Sequence, residues 1–176
     1  MTDHNDIILN MLSDTKNFTN FVSVRTGNIT KSILYRSCSP LKSEYVEEIK
    51  HFAVEAGIDC IINLVDNVSS IENLAKDVSW YYELIKKGNV FCLPMTFVIP
   101  GDISNEMKLK AGLRFMLSHK GPYLIHCSMG IDRTDFVIAV LEALMGANIN
   151  QIRRNYLLNL PLETESKRIE YYQKIS

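Results

Sequence analysis

Two residues with reactive or charged side chains stand six positions apart in the stretch YLIHCSMGIDRTDF, residues 123–136. Cys127 follows the run YLIH, and Arg133 comes after it with Gly130 between them. A cysteine can supply a thiolate nucleophile, and the planar guanidinium of an arginine can hold two oxygens of a phosphate at once. A cysteine after an apolar strand is often core filling, so the residues between the two decide the interpretation.

The intervening residues suit an anion-binding loop. If residues 128–133 curl into a tight arc, their backbone N–H groups converge, and the N-terminus of the following helix adds its positive dipole end. Gly130 permits a backbone geometry that a side chain obstructs. The same field lowers the pKa of a thiol, so we expect Cys127 to be a thiolate at neutral pH. The expected phosphate cradle consists of Ser128, Met129, Gly130, Ile131, Asp132 and Arg133.

Two neighbours of the loop have expected supporting roles. Thr134 can hydrogen-bond the sulfur of Cys127 and ease its departure when a thiophosphate intermediate is hydrolysed. His126 precedes the nucleophile and should point away from it, so we expect it to orient the loop rather than to donate a proton. The other apolar-strand cysteines, Cys60 and Cys92, are expected to be core residues.

The elements around this loop predict an α/β fold. Unbroken apolar runs, typical of buried strands, alternate with stretches of helical spacing, which indicates a mainly parallel central sheet flanked by helices on both faces. Ligands of such sheets sit beyond the carboxyl ends of strands, where Cys127 lies. The predicted strands are 17–24, 32–36, 58–65, 90–95 and 123–126, and the predicted helices are 43–57, 105–119, 133–146, 149–158 and 163–175, with a weaker helical region through residue 85.

Length and composition predict a single domain over residues 1–176, with no nucleic-acid partner. The formal net charge is −1, and 47% of the residues are hydrophobic. The first residues lack the pattern of a signal peptide, and no run is long enough for a membrane span, so we expect a cytoplasmic protein without integral membrane association. The cysteines form no C-x-x-C pair and the histidines no metal-ligand spacing, so we expect no metal and no cofactor.

The segment HCSMGIDRT resembles the signature H-C-x-x-G-x-x-R-[ST] of the protein tyrosine phosphatase superfamily. The segments NFTNFVSVRTG, ILYRSCSP and GIDCIINLVD are similar to those of its atypical bacterial and fungal group, which has a small dual-specificity-like domain. The resemblance implies a dual-specificity phosphatase-like fold and metal-free hydrolysis of phosphate monoesters through a cysteinyl-phosphate. The expected substrate is phosphotyrosine, and also phosphoserine or phosphothreonine, of a phosphorylated protein. A small phosphate monoester is the other expected partner. The resemblance assigns Cys127 as nucleophile, Arg133 as phosphate clamp and Thr134 as the hydroxyl that assists the second step.

The chain departs from that group's loop, H-C-x-x-G-K-D-R-[TA]-G, at two positions. Ile131 stands where the group has Lys. This replacement removes a cation from the mouth of the site and therefore disfavours the binding of polyphosphorylated inositol lipids. Asp135 stands where the group has Gly, and an acid in the first helical turn opposes a bound dianion. Two other functions therefore stay open: a phosphoinositide or inositol-phosphate phosphatase, and a phosphate-binding module with low activity.

The leaving oxygen needs a proton, and the family takes it from an aspartate on a mobile loop before the cysteine. Asp102, in VIPGDIS, follows the predicted strand 90–95 and should lie at the same sheet edge; its alternative role is a turn or a helix cap. Asp132, inside the expected cradle, is the rival donor. Arg36, in LYRS, is expected to support the cradle and pair with a carboxylate such as Asp132, or else to be a surface cation.

Overall fold

A five-stranded sheet forms the centre of the molecule. The computed structural model describes residues 19–96 and 103–158, and the strand order is β1-β2-β5-β3-β4. β1 pairs with β2 in antiparallel fashion, and every other neighbouring pair is parallel. The strands are β1 (Val22–Ser23), β2 (Leu34–Ser37), β3 (Cys60–Asn63), β4 (Val90–Cys92) and β5 (Tyr123–His126); the helices are α1 (Val46–Glu55), α2 (Val68–Ala75), α3 (Ser79–Lys86), α4 (Ile103–Ser118), α5 (Asp132–Leu144) and α6 (Ile149–Leu158).

Helices cover both faces of this sheet, as the unbroken apolar strands predict. Leu124 in β5 packs in the core cluster that α1, α2 and α3 contribute to, whereas its neighbour Ile125 packs in the cluster of α4 and α5. This alternation is the two-residue period of a strand, with both faces buried. The predicted α/β class with a mainly parallel sheet is confirmed. In the described residues, no helix has both the length and the apolar character needed to cross a bilayer.

The strand register brings three carboxyl ends to one edge of the sheet. His126, the last residue of β5, is aligned with Ser37 of β2 on one side and with Asn63 of β3 on the other. Asn63 is in turn aligned with Cys92 at the end of β4. Cys127 therefore leaves the sheet at the middle of the edge where parallel α/β sheets bind ligands.

Most predicted boundaries agree with the structure, with two differences among the described residues. β1 covers only Val22–Ser23 of the predicted strand 17–24, because Asn20 has a φ of 51°, which is outside the extended region. The weaker helical region resolves into two separate helices, α2 and α3. The predicted helix 163–175 lies outside the described residues. The predicted stop of α1 is confirmed, since Gly57 follows it with a φ of +64°.

A buried ion pair joins β2 to α5. The Nη1 of Arg36 donates to Oδ1 of Asp135, and the two side chains are only 3% and 1% exposed. Removing one partner of such a pair leaves an uncompensated charge in a medium of low dielectric, which costs far more than losing a surface contact. The pair therefore fixes the first turn of α5 against the end of β2.

Replacing Asp135 by Asn should destabilise the fold, because the charge of Arg36 then stays buried without its carboxylate. We expect the free energy of unfolding to fall by about 3 kcal/mol. The matched control is Asp132→Asn, which removes a carboxylate from the same helical turn at an exposed position; it should change the value by less than about 0.5 kcal/mol. Urea denaturation measures both, and equal losses in the two variants would contradict the assignment.

Candidate active site

The loop from Cys127 to Ile131 joins β5 to α5 and rests directly on the end of β2. Gly130 has a φ of +70°, and a Cβ placed on it would lie 2.5 Å from the backbone nitrogen of Cys38 and from the carbonyl group of Ser37. Only a glycine satisfies both the left-handed conformation and this close approach. The glycine expected from the sequence is thus required by the packing of two backbones.

Three successive carbonyl groups of the loop accept hydrogen bonds from outside it. The carbonyl of Ser128 accepts from the N–H of Ser39 at 3.4 Å, which is a long bond. The carbonyl of Met129 accepts from the side-chain amide of Asn20 at 2.8 Å, and that of Gly130 accepts from Nη2 of Arg36. Residues from the segment before β1 and from the end of β2 therefore hold the loop from behind.

These anchors determine where the N–H groups of the loop point. The one cis peptide bond in the described residues is Gly121-Pro122, so the loop peptides are trans, and each carbonyl is antiparallel to the following N–H. With the carbonyls of residues 128–130 held outward, the N–H groups of Met129, Gly130 and Ile131 face inward. Those of Met129 and Gly130 hydrogen-bond the sulfur of Cys127. The loop thus forms a concave surface of N–H donors, which suits an anion.

The thiol of Cys127 is the group that these donors act on. Cys127 is 3% exposed, and burial works to raise its pKa. The hydroxyl and N–H of Thr134, with the N–H groups of Met129 and Gly130, stabilise the thiolate and outweigh burial, so the pKa of Cys127 is lowered. Cys60 and Cys92 lack such donors, and burial, with the nearby charges of Asp59 and Asp66 respectively, raises each of their pKa values to about 11.

Arg133 lies across the carboxyl ends of β3 and β4, with its guanidinium next to the loop. Its Nη1 donates to the carbonyls of Leu64 at 3.2 Å and Met95 at 3.3 Å. Its Nη2 donates to the hydroxyl of Ser128 at 2.9 Å. The fork is therefore held by three acceptors beside the cradle, and a guanidinium in this place is suited to bind oxygens of a phosphate.

A buried chain of polar side chains supports the loop on the side of α3. The amide oxygen of Asn63 accepts from the N–H of Val65 at 2.8 Å, which fixes its amide nitrogen as the donor to the hydroxyl of Tyr81 at 3.0 Å. The hydroxyl of Tyr81 lies 3.0 Å from Nε2 of His126. Burial, together with the charge of Arg133, lowers the pKa of His126 to about 3.

The direction of these bonds follows from the neutral state of the imidazole. Asn63 donates to the hydroxyl of Tyr81, and this hydroxyl can in turn donate its proton to Nε2 of the neutral His126. Burial raises the pKa of Tyr81 well above its usual range, so this proton stays in place. The geometry supports the orienting role expected of His126 and gives it no route to protonate a leaving group.

Two expectations about charge at the loop need correction. Arg36 is buried and pairs with Asp135, not with Asp132, and it also binds the carbonyl of Gly130. Asp135 therefore does not oppose a bound dianion, because its charge is compensated by the guanidinium. Ile131 is only 8% exposed, so its side chain lies inside and not at the mouth.

Of the two candidate proton donors, the structure describes only one. Asp132 is the first residue of α5 and is exposed. Asp102 lies outside the described residues. No cluster of three or more His, Cys, Asp or Glu side chains that could hold a metal ion occurs in the ranges 19–96 and 103–158.

With this geometry established, comparison with known proteins gives a family. Residues 95–174, which include the whole loop, match the model of the tyrosine phosphatase family. The match supports the protein tyrosine phosphatase superfamily as the family of this chain. This places it among the cysteine-based phosphatases, which are hydrolases. No curated protein sequence matches the chain significantly.

Solved structures of phosphatases share the fold. The chain is similar to the core catalytic domain of the PP-IP phosphatase SIW14 from S. cerevisiae in complex with citrate, with 20% identity, a TM-score of 0.52, and 78% of this chain and 79% of that one covered. A second structure, of the Siw14 catalytic core, is 17% identical with a TM-score of 0.51, and 87% of this chain and 95% of that one are covered. At this identity the likeness establishes a cysteine-phosphatase fold.

Sequence reasoning missed four residues that position the phosphatase loop. Asn20 and Ser39 act on loop carbonyls from distant segments, and no pattern in the sequence indicates this. Tyr81 is fully buried in the core, and its hydroxyl also contacts the ring of His126. Asn63 does carry a signal, since it is a polar residue that ends the otherwise apolar run IDCIIN.

Gly130→Ala should abolish the loop's function, because the added Cβ collides with the backbone of β2. We expect kcat to fall at least about 100-fold on an aryl phosphate, the scale of a displacement of roughly 1 Å in an active site. Gly57→Ala is the matched control, since Gly57 has nearly the same φ of +64° but no atom within 4 Å of the added Cβ. It should cost about 1 kcal/mol of stability and leave kcat unchanged. Similar kcat values for the two variants would contradict the packing argument.

Proposed function

We propose that this phosphatase hydrolyses phosphotyrosine, and also phosphoserine or phosphothreonine, through a cysteinyl-phosphate on Cys127. The observation that carries the proposal is the lowered pKa of a buried cysteine at the centre of an inward-facing ring of N–H groups. A thiolate in such a ring is a nucleophile placed where the N–H groups also bind the phosphate that it attacks. Because Asp135 is ion-paired with Arg36, its charge gives no reason to expect weaker binding of a phosphate dianion.

The first step transfers the phosphoryl group to sulfur. The thiolate of Cys127 attacks phosphorus, the S–P bond forms and the ester P–O bond breaks, while Arg133 and the loop N–H groups stabilise charge on the other oxygens. In the second step water attacks phosphorus, the S–P bond breaks, and inorganic phosphate is released. Thr134 serves this step, because the same hydroxyl that favours the thiolate in the free protein stabilises it as a leaving group.

The leaving oxygen of the first step takes a proton from Asp102 in our proposal. Asp102 follows β4 in the chain, and the carboxyl end of β4 is aligned with the edge that carries Cys127. In the second step the same carboxylate would accept a proton from the attacking water. Asp132 is the alternative donor, since it begins α5 directly after the loop.

A second candidate substrate is an inositol that carries several phosphates. One structure with the same fold is described as a PP-IP phosphatase. The buried Ile131 neither adds nor blocks charge at the mouth, so the loop itself does not discriminate against such a substrate. The phosphoprotein remains our first choice because the loop signature is that of the tyrosine phosphatase family.

The proposal predicts metal-independent hydrolysis of 4-nitrophenyl phosphate. Activity should persist in EDTA, be inhibited by vanadate, and fall to background in Cys127→Ser. Cys60→Ser is the matched control, because Cys60 is a buried cysteine of raised pKa that should not react, and its activity should be kept. A Cys127→Ser variant as active as the wild type would show that the catalytic assignment is wrong.

The same assay distinguishes the two proton donors. If Asp102 is the acid, Asp102→Asn lowers kcat by roughly 100-fold or more, whereas Asp132→Asn keeps most of it. The reverse pattern would assign the role to Asp132. Phosphotyrosyl peptides assayed beside inositol polyphosphates then distinguish the two substrate classes, and a phosphate-binding module would turn over neither.

A further inference from the structure

Lys42 places a positive charge beside the phosphate loop from a different element. It belongs to the segment 38–45 that joins β2 to α1, and its Nζ lies 3.2 Å from Sδ of Met129. Met129 is the most exposed residue of the loop, with 55% of its surface accessible, and its own N–H belongs to the cradle. The ammonium therefore lies at the rim of the surface that holds the scissile phosphate.

A second observation places both Lys42 and the nucleophile close to Cys38. Burial raises the pKa of Cys38 to about 11, while the charge of Lys42 opposes this rise and the charge of Cys127 adds to it. Cys38 and Cys127 directly follow Ser37 and His126, which are aligned on neighbouring parallel strands. Lys42 and the sulfur of Cys127 therefore both lie near the thiol of Cys38.

Among the described residues, the ammonium of Lys42 has one weak acceptor. In the described part of the chain Lys42 has no carboxylate within 4 Å, unlike Lys50 and Lys86, which pair with glutamates on their own helices. Its contact with Met129 is to a thioether, which is a weak acceptor. A compact cation on a flexible stem next to an anion cradle is well suited to receive a further anionic group.

We propose that Lys42 binds a second anionic group of the substrate, next to the phosphate that is hydrolysed. The substrate class is then a phosphate ester or diphosphate that carries another negative charge within one ion-pair distance of the first. This inference deepens the proposed function of the same site and rests on it. Lys42 supplies the positive charge that Ile131, as a buried apolar residue, does not bring to the mouth.

The test compares inorganic phosphate with inorganic pyrophosphate as ligands of the Cys127→Ser protein, by calorimetry. We expect pyrophosphate to bind roughly fivefold more tightly than phosphate, the scale of an ion pair open to solvent. Lys42→Met, which keeps the apolar stem, should remove this preference, and Lys42→Arg should retain it. Lys50→Met is the matched control, because it removes an exposed lysine on the adjacent helix α1 and should leave the preference intact. The proposal would be overturned if Lys42→Met preferred pyrophosphate as strongly as the Cys127→Ser parent does. It would also be overturned if the parent showed no preference.

Turnover then distinguishes the source of the second charge. A drop of kcat/KM in Lys42→Met on an inositol with adjacent phosphates, but not on a singly phosphorylated one, identifies a polyphosphorylated small molecule. The same drop on a phosphotyrosyl peptide flanked by Glu, but not by Gln, identifies an acidic phosphoprotein. Unchanged values on both pairs would contradict a role of Lys42 in substrate selection. If no ester is hydrolysed while binding of pyrophosphate still depends on Lys42, the proposed function fails and the second anion site stands.

Discussion

The guanidinium of Arg36 lies buried between the end of β2, the loop 127–131 and the first turn of α5. One of its nitrogens binds the carboxylate of Asp135, and another binds the carbonyl of Gly130. A buried guanidinium needs acceptors that compensate its charge, and Asp135 and the carbonyl of Gly130 supply them at its two terminal nitrogens. The carboxylate keeps the guanidinium in place, and the guanidinium holds the carbonyl of Gly130 away from the cradle. The loop can therefore present N–H groups without a bound ligand to organise it.

The same arrangement explains why the pKa is lowered at one of the four cysteines. Cys38, Cys60, Cys92 and Cys127 are all shielded from water to some degree, and burial alone disfavours a thiolate at each of them. Only at Cys127 do donors outweigh burial, because the anchored carbonyls turn the N–H groups of Met129 and Gly130 toward the sulfur. The lowered pKa of Cys127 and the proposed binding of phosphate thus have the same origin, which is one backbone conformation. An oxyanion above the sulfur would meet the donors that stabilise the thiolate.

The sequence predicts the loop well because its chemistry is local. Strand β5, the cysteine, the glycine and the start of α5 follow one another within about a dozen residues, and each has a recognisable type at a fixed offset. The sheet class is predictable for a similar reason, since unbroken apolar strands require cover on both faces. What the sequence does not predict is which distant groups meet. Arg36 and Asp135 are 99 positions apart, and only the pairing of β2 with β5 brings them together.

This explains why Asp135 was expected to repel a dianion. In the sequence it is an acid in the first turn of a helix next to a phosphate site, and its partner is invisible there. The contribution of Asn20 is hidden in the same way, because it depends on one side chain reaching the carbonyl of Met129 from 109 positions away. The length of β1 depends on a single residue of positive φ, which composition does not reveal.

The central claim is that outward-held carbonyls make residues 128–133 an anion cradle before any substrate binds. Amide spectra of ¹⁵N-labelled Cys127→Ser titrated with tungstate, a tetrahedral dianion, test it most directly. The account predicts a saturable shift that is largest at the amides of Met129, Gly130 and Ile131, with little change elsewhere in the sheet. Binding without shifts at these amides, or shifts spread evenly over the surface, would contradict it.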